Sequence, residues 1–325
     1  MVADTSSDDV GLLVDAARDG DRRALARLLS MVERGGDEAR AVGRMAHHLG
    51  GGAYTVGLTG APGAGKSTLT SRLVARLRRS GARVAVLAID PTSPFTGGAI
   101  LGDRVRMDDH DLDDGVYIRS MATRGHLGGL ALATPTAVRV LDAAGFGWVV
   151  LETVGVGQVE VEVAGATDTT VVVLNPGWGD AVQAAKAGLL EIADVFVLNK
   201  ADRPGAGEAE RDLVSMLQLA DRRDAEWTPP VVRTVATSGE GAAEVVEAVH
   251  RHRTHLERSG QLEVRRRLRA GSELRAILVA RLLRRLDVVD GSGRFEALTD
   301  EVAAGRLDPW SASDQLLAAR EAGAG

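Results

Sequence analysis

A glycine-rich run that ends in a lysine and a serine carries the strongest chemical signal in the sequence. Residues 60–67 are Gly-Ala-Pro-Gly-Ala-Gly-Lys-Ser and fit the pattern GxxxxGK(S/T), between an apolar segment and a helical one. Glycines let the backbone wrap so that its N–H groups point at phosphate oxygens, and the following helix adds its dipole. Lys66 would reach the outer phosphates, and the Ser67 hydroxyl would bind Mg²⁺. The predicted phosphate-binding residues are Gly60, Ala61, Pro62, Gly63, Ala64, Gly65, Lys66, Ser67 and Thr68.

A second motif, Asn199-Lys200-Ala201-Asp202, follows another apolar segment. The Asp202 carboxylate can accept from both N1–H and the exocyclic amine of guanine, whereas adenine has no such pair of donors. The Lys200 stem would pack over the base plane. The chain contains only three lysines among its 39 basic residues: Lys66, Lys186 and Lys200. Because arginine serves elsewhere as the positive charge, two lysines inside these motifs indicate sites that need an ammonium, and the pair of motifs predicts guanine-nucleotide binding.

Charged side chains follow two further apolar segments. Asp90 and Glu152 each end such a segment, and ligands bind at the carboxyl edge of parallel sheets, so we expect both at the nucleotide site. A glycine-rich stretch precedes Asp103 and Arg106, which could close on the metal and the phosphates, respectively. The N–H of Gly155 could sense the γ-phosphate.

These motifs need elements that bring them to one edge. Apolar segments predict strands over Tyr54–Thr59, Arg83–Ile89, Trp148–Glu152, Thr169–Asn175, Val195–Asn199 and Val231–Val235. Helices are expected to start near Lys66, Thr136, Asp180, Glu208 and Gly241. Apolar strands that alternate with helices predict an α/β fold with a mostly parallel sheet, covered on both faces. We expect a helical extension over residues 1–52, a nucleotide-binding domain over 53–255 and a second helical extension over 256–325.

Composition excludes several classes of protein. The 325 residues include no cysteine, which excludes disulfides, thiolate zinc sites and iron–sulfur clusters. The net charge of -6 gives no reason to expect nucleic-acid binding. The acidic N-terminus is unlike a signal peptide, and no apolar run approaches the roughly 18–20 residues that span a bilayer. We expect a cytoplasmic protein with neither a nucleic acid nor a membrane as partner.

Taken in order, the motifs resemble those of the MeaB family of GTPases, whose human relative is the methylmalonic aciduria type A protein. The segments that carry the resemblance are Gly60–Ser67, Asp90–Ser93, Thr96–Arg104, Arg124–Gly129, Glu152–Gln158 and Asn199–Asp202. It covers about residues 10–325. The resemblance implies a P-loop NTPase fold of the SIMIBI class, flanked by helical extensions.

The resemblance also implies a function and the residues that serve it. Such a protein hydrolyses GTP to GDP, gates the loading of adenosylcobalamin onto an acyl-CoA mutase of the methylmalonyl-CoA mutase type, and protects or reactivates that mutase. It is a homodimer, for which we expect the helices from Leu262 onward to form the interface. The implied Mg²⁺ ligands are Ser67, Asp90, Asp103 and Glu152, and the catalytic set is Lys66 with those three acids. The implied nucleotide contacts are Arg106, Gly155, Asn199, Lys200, Asp202, Val235, Ala236 and Thr237. Asp180, Gln183 and Lys186 match a switch that couples the nucleotide to the mutase.

Two departures and three alternatives remain. Most GTPases have Asp where this chain has Glu152. Val156 leaves no side chain to orient water, so we expect slow intrinsic hydrolysis that the mutase accelerates. A transport-associated ATPase or kinase like ArgK is disfavoured by Asp202. An accessory GTPase of nickel enzymes is disfavoured by the lack of cysteine. A scaffold that binds GTP without turnover would be distinguished from a GTPase by kinetics.

We expect the remaining candidate metal ligands, His250, His252 and His255, to lie on a solvated helix.

Overall fold

The computed structural model describes residues 7–91, 110, 112–123, 129–153, 159–177, 190–219, 227–290 and 293–322. The chain forms two compact units, Met1–Ala270 and Gly271–Gly325. Every helix within the described ranges is too short or too polar to traverse a lipid bilayer.

The first unit is built on a seven-stranded sheet whose order is β3-β2-β4-β1-β5-β6-β7. The strands are β1 (Tyr54–Thr59), β2 (Val84–Pro91), β3 (Val116–Thr123), β4 (Trp148–Thr153), β5 (Thr169–Leu174), β6 (Val195–Asn199) and β7 (Val231–Thr234). Each neighbouring pair is parallel, so the carboxyl ends of all these strands lie at one edge. The predicted parallel sheet is confirmed.

Helices cover both faces of this sheet. The described helices of the first unit are α1 (Ser7–Arg18), α2 (Arg22–Arg34), α3 (Gly36–Leu49), α4 (Lys66–Arg79), α5 (Gly129–Ala143), α6 (Val159–Ala166), α7 (Ala206–Leu219), α8 (Ala242–Ser259) and the first part of α9 (Gln261–Asp290). On one face, Leu28 of α2 and Leu141 of α5 belong to the same apolar core as Leu151 of β4. On the other face, Leu69 of α4 and Val245 of α8 pack in one core with the central strands. The three N-terminal helices therefore share their core with the sheet.

The second unit contains the remainder of α9, α10 (Arg294–Ala303) and α11 (Pro309–Ala322). The Asp308 carboxylate caps α11 by accepting from the N–H groups of Trp310 and Ser311, each at 3.0 Å. Several large apolar side chains of this unit are exposed, among them Leu274 at 60% and Trp310 at 83%.

The apolar pattern did not predict strand β3 or helix α6. Strand β3 contains Arg119 and Ser120, which interrupt its apolar run. Strand β3 lies at the edge of the sheet. The Arg119 guanidinium donates to Glu33 and Ser30 of α2 at 2.8 and 2.9 Å, respectively. The short helix α6 was also missed. Helix α5 begins at Gly129, before the expected Thr136, and contains Pro135 within its length. The helix expected near Asp180 lies outside the described residues.

Candidate functional site

Two glycines shape the turn between β1 and α4. Gly60 has a φ of +135°, and a Cβ there would lie 2.1 Å from the Val173 carbonyl oxygen of β5. Gly65 has a φ of +96°, and its Cβ would lie 2.3 Å from Nδ2 of Asn199. Both combine a backbone that favours glycine with a lack of space for any side chain. The glycine-rich run therefore packs its backbone directly against β5 and the end of β6.

The lysine and serine of the run occupy the first turn of α4, followed by Thr68. The buried Lys66 donates from Nζ to the carbonyl oxygens of Gly60 at 2.6 Å and Ala61 at 3.1 Å, so its ammonium spans the turn. Ser67 donates from Oγ to Oε1 of Glu152 at 2.5 Å, and both side chains are buried. Glu152 reaches this position because β4 pairs with β1, where it is in register with Leu58. The structure thus brings Lys66, Ser67 and Glu152 together.

The second motif begins where β6 ends. Asn199 donates from Nδ2 to the Ala64 carbonyl oxygen at 2.7 Å. Its Oδ1 accepts from Oγ1 of Thr234 and from the Ala236 N–H, each at 3.0 Å. This buried amide therefore links the glycine-rich turn to the loop after β7.

The chain turns sharply after Asn199. Lys200 adopts a φ of +58°, the single positive φ of a residue other than glycine within the described ranges. Its Nζ donates to the Gly63 carbonyl oxygen at 2.6 Å, and the exposed Asp202 follows on the same turn. Both lysines of the two motifs thus hold carbonyl oxygens of the glycine-rich turn.

We call residues 235–241, which follow β7, the base loop. It contains Val235, Ala236 and Thr237, and it closes on itself because the Val235 N–H donates to the Glu240 carbonyl oxygen at 3.0 Å. Arg72 of α4 donates to the carbonyl oxygens of Ala236 and Thr237. Sequence reasoning missed Arg72, because nothing in an arginine-rich sequence distinguishes it from the other arginines.

The remaining predicted residues are less fully described. Asp90 is the penultimate residue of β2, a strand whose Ala88 is in register with Glu152. Six predicted residues lie outside the described ranges: Asp103, Arg106, Gly155, Asp180, Gln183 and Lys186.

Of the three histidines of α8, His252 differs from the expectation of a solvated helix, whereas His250 is exposed. His252 is completely buried, and its Nδ1 lies 2.8 Å from Oγ1 of Thr169. The His250 and His255 rings pack against Trp148 and Trp227, respectively. No group of three His, Cys, Asp or Glu side chains that could hold a metal occurs in the described part of the chain.

A family model described as methylmalonyl-CoA mutase-associated GTPase MeaB matches residues 25–289. The chain belongs to the MeaB family of GTPases. Among similar proteins, a putative GTPase of Pyrococcus abyssi is 50% identical over 307 residues, covering 94% of this chain and 95% of the relative. The GTPase ArgK of Escherichia coli is 37% identical, with 76% of each chain covered. The mitochondrial methylmalonic aciduria type A homolog of mouse is 36% identical, covering 82% of this chain and 65% of the relative.

One solved structure resembles this chain over almost its whole length. The crystal structure of a protein titled LAO/AO transport system kinase superposes with a TM-score of 0.72 at 26% identity and covers 99% of both chains. The resemblance to the MeaB family and the P-loop fold that it implied are both confirmed.

Proposed function

We propose that this MeaB-family GTPase hydrolyses GTP to GDP and phosphate at the edge formed by the P-loop, Glu152 and the Asn199 motif. The observation that carries the proposal is the Asn199 side chain, which hydrogen-bonds both the Ala64 carbonyl oxygen of the P-loop and the Ala236 N–H of the base loop. One buried amide thereby sets the separation between a phosphate site and a base site. Asp202, on the next turn, supplies the carboxylate that selects guanine over adenine.

Magnesium fits the buried pair formed by Ser67 and Glu152. A hydroxyl and a carboxylate are the hard oxygen ligands that Mg²⁺ prefers, and their oxygens approach to 2.5 Å. Asp90 and Asp103 complete the proposed ligand set. When bound, Mg²⁺ supplies positive charge that neutralises the phosphate oxygens. Lys66 adds a second charge, and its hydrogen bonds to the P-loop carbonyl oxygens hold the ammonium in place before the substrate arrives.

We further propose that the protein serves an adenosylcobalamin-dependent acyl-CoA mutase by gating cofactor loading and by protecting or reactivating the enzyme. The description of the family as mutase-associated supports this partner. In this proposal Asp180, Gln183 and Lys186 couple the nucleotide state to the mutase. Two copies of the chain associate through the C-terminal helices, as the exposed Leu274 and Trp310 of the second unit support.

The experiment compares GTP and ATP hydrolysis by the purified protein in the presence of Mg²⁺, with and without such a mutase. We expect turnover of GTP alone, slow by itself and faster with the mutase. Glu152→Gln should lower kcat about 100-fold, because it weakens the proposed Mg²⁺ site, whose positive charge neutralises the reacting phosphate oxygens. Glu257→Gln, an exposed helix residue, is the control. Equal turnover of ATP would contradict the guanine site, and GTP turnover that the mutase does not change would contradict the partner alone.

A further inference from the structure

Arg72 joins the helix that follows the P-loop to the base loop. It lies in the second turn of α4 and is half-buried, between the buried side chains of Ser71 and Leu73. Its Nε donates to the Ala236 carbonyl oxygen at 3.1 Å, and its Nη2 donates to the Thr237 carbonyl oxygen at 2.9 Å. One guanidinium therefore holds two consecutive peptide groups of the base loop.

The base loop is consequently held from two directions. The Ala236 N–H donates to Asn199, while the carbonyl oxygens of Ala236 and Thr237 accept from Arg72. In a planar trans peptide the carbonyl oxygen and the next N–H point in opposite directions. The hydrogen bond to the Ala236 carbonyl oxygen therefore directs the Thr237 N–H away from Arg72. That N–H has no hydrogen-bond partner among the residues that the structure describes.

We propose that Arg72 is a positioning residue for the selection of guanine, acting through the Thr237 N–H. The inference rests on the proposed GTPase function and adds a residue that does not touch the nucleotide. An N–H fixed in this direction can donate to the 6-oxo group of guanine. The 6-amino group of adenine is itself a donor, so it cannot accept this hydrogen bond. Arg72 thereby supports discrimination at position 6, while Asp202 reads N1–H and the 2-amino group.

The geometry explains why this position needs arginine. A guanidinium presents several N–H donors in a rigid plane, so it can hold two neighbouring carbonyl oxygens at once. A lysine ammonium at the end of a flexible stem would keep the charge without fixing the orientation of the peptide. The conservative substitution Arg72→Lys is therefore expected to restore only part of the effect.

The test measures the affinities of GDP, IDP and ADP by calorimetry for the full chain and its variants. IDP keeps the 6-oxo group of GDP and lacks the 2-amino group. In Arg72→Ala we expect GDP and IDP to bind about tenfold more weakly, which corresponds to the loss of one well-oriented hydrogen bond, and ADP to bind as before. Arg72→Lys should fall between this variant and the wild type. Arg76→Ala, an exposed arginine later in α4, is the matched control and should change none of the three affinities.

The ligand series separates this role from a structural one. Equal weakening of GDP and ADP in Arg72→Ala would show that Arg72 only maintains the fold, and three unchanged affinities would show that it has no role; either result overturns the proposal. If Arg72→Ala does not fold, the GDP:ADP ratio of Arg72→Lys decides the question. Asp202→Ala should weaken GDP more than IDP, because IDP lacks the 2-amino group. A wild-type protein that binds ADP as tightly as GDP would instead refute the proposed function itself.

Discussion

Acidification should destabilise this protein through one buried histidine. His252 is completely buried in α8, and burial lowers its pKa to about 4. Its Nε2 lies 3.3 Å from Oδ1 of Asp194, a distance at which a protonated imidazole would form an ion pair. Arg265 already binds both oxygens of that carboxylate, each at 2.9 Å. The Asp194 charge is therefore largely neutralised by Arg265, and burial determines the protonation state of the imidazole.

The sign and size of the effect follow from the difference in pKa between the two states. A histidine in the unfolded chain has a pKa of about 6.5, whereas the pKa of folded His252 is about 4. Between about pH 6.5 and pH 4 the unfolded chain therefore binds a proton that folded His252 does not. The free energy of unfolding therefore falls as the pH falls through that window. From about pH 7 to about pH 5 the loss is about 2 kcal/mol. Below about pH 4 both states carry the proton, and this contribution no longer changes.

Urea unfolding at several pH values between about 7 and 5 measures this loss. His252→Gln keeps a polar side chain that can bond Thr169 and removes the titrating group, so we expect its unfolding free energy to depend on pH by about 2 kcal/mol less than that of the wild type. His255→Gln, one turn further along α8, is the matched control and should keep the wild-type dependence. Parallel curves for the wild type and His252→Gln would refute the reasoning.

Three further predictions concern the P-loop and the base of the sheet. Gly65 has a positive φ and no space for a Cβ, so Gly65→Ala should weaken GDP binding at least about tenfold. Gly63 has a φ of +73° but open space for a Cβ, so Gly63→Ala should weaken GDP binding less. Calorimetry on both variants measures the two affinities. Lys200→Ala removes the bond to the Gly63 carbonyl oxygen and should raise KM for GTP severalfold without changing kcat, measured by steady-state kinetics. Asp168→Asn removes the charge of a buried carboxylate that pairs with two arginines of α9. We expect it to lower the free energy of unfolding, measured in urea, by about 3 kcal/mol. Glu301→Gln, in an exposed pair, should produce no measurable change.

Local patterns in the sequence were sufficient for the P-loop and for the parallel sheet. The spacing of the glycines, Lys66 and Ser67 reflects contacts within a few residues, so the pattern itself carries the information. Long apolar runs likewise predicted strands that are buried on both faces, such as β1, β4 and β5. The edge strand β3 could not be predicted in this way because Arg119 and Ser120 lie in its middle. Arg119 is accommodated there because it hydrogen-bonds to Ser30 and Glu33 of α2.

Long-range pairings could not be predicted in the same way. The bond of Asn199 to the Ala64 carbonyl oxygen and that of Ser67 to Glu152 join residues far apart in the chain. The order of the strands decides which of their ends are neighbours, and the composition of a strand does not specify that order. The burial of His252 has the same origin, because the helical pattern of α8 does not reveal that Thr169 and Asp194 face this ring.

The sequence by itself determined the P-loop before α4 and predicted a guanine-reading motif at the end of β6, because both motifs consist of neighbouring residues whose chemistry is local. Only the tertiary structure decided that Arg72 supports the base loop. One arginine among many acquires that role through the packing of α4 beside the loop after β7, and no periodicity or motif encodes the contact. Local chemistry thus specifies which ligand groups the chain can bind, and the packing of distant elements decides how firmly each binding group is held.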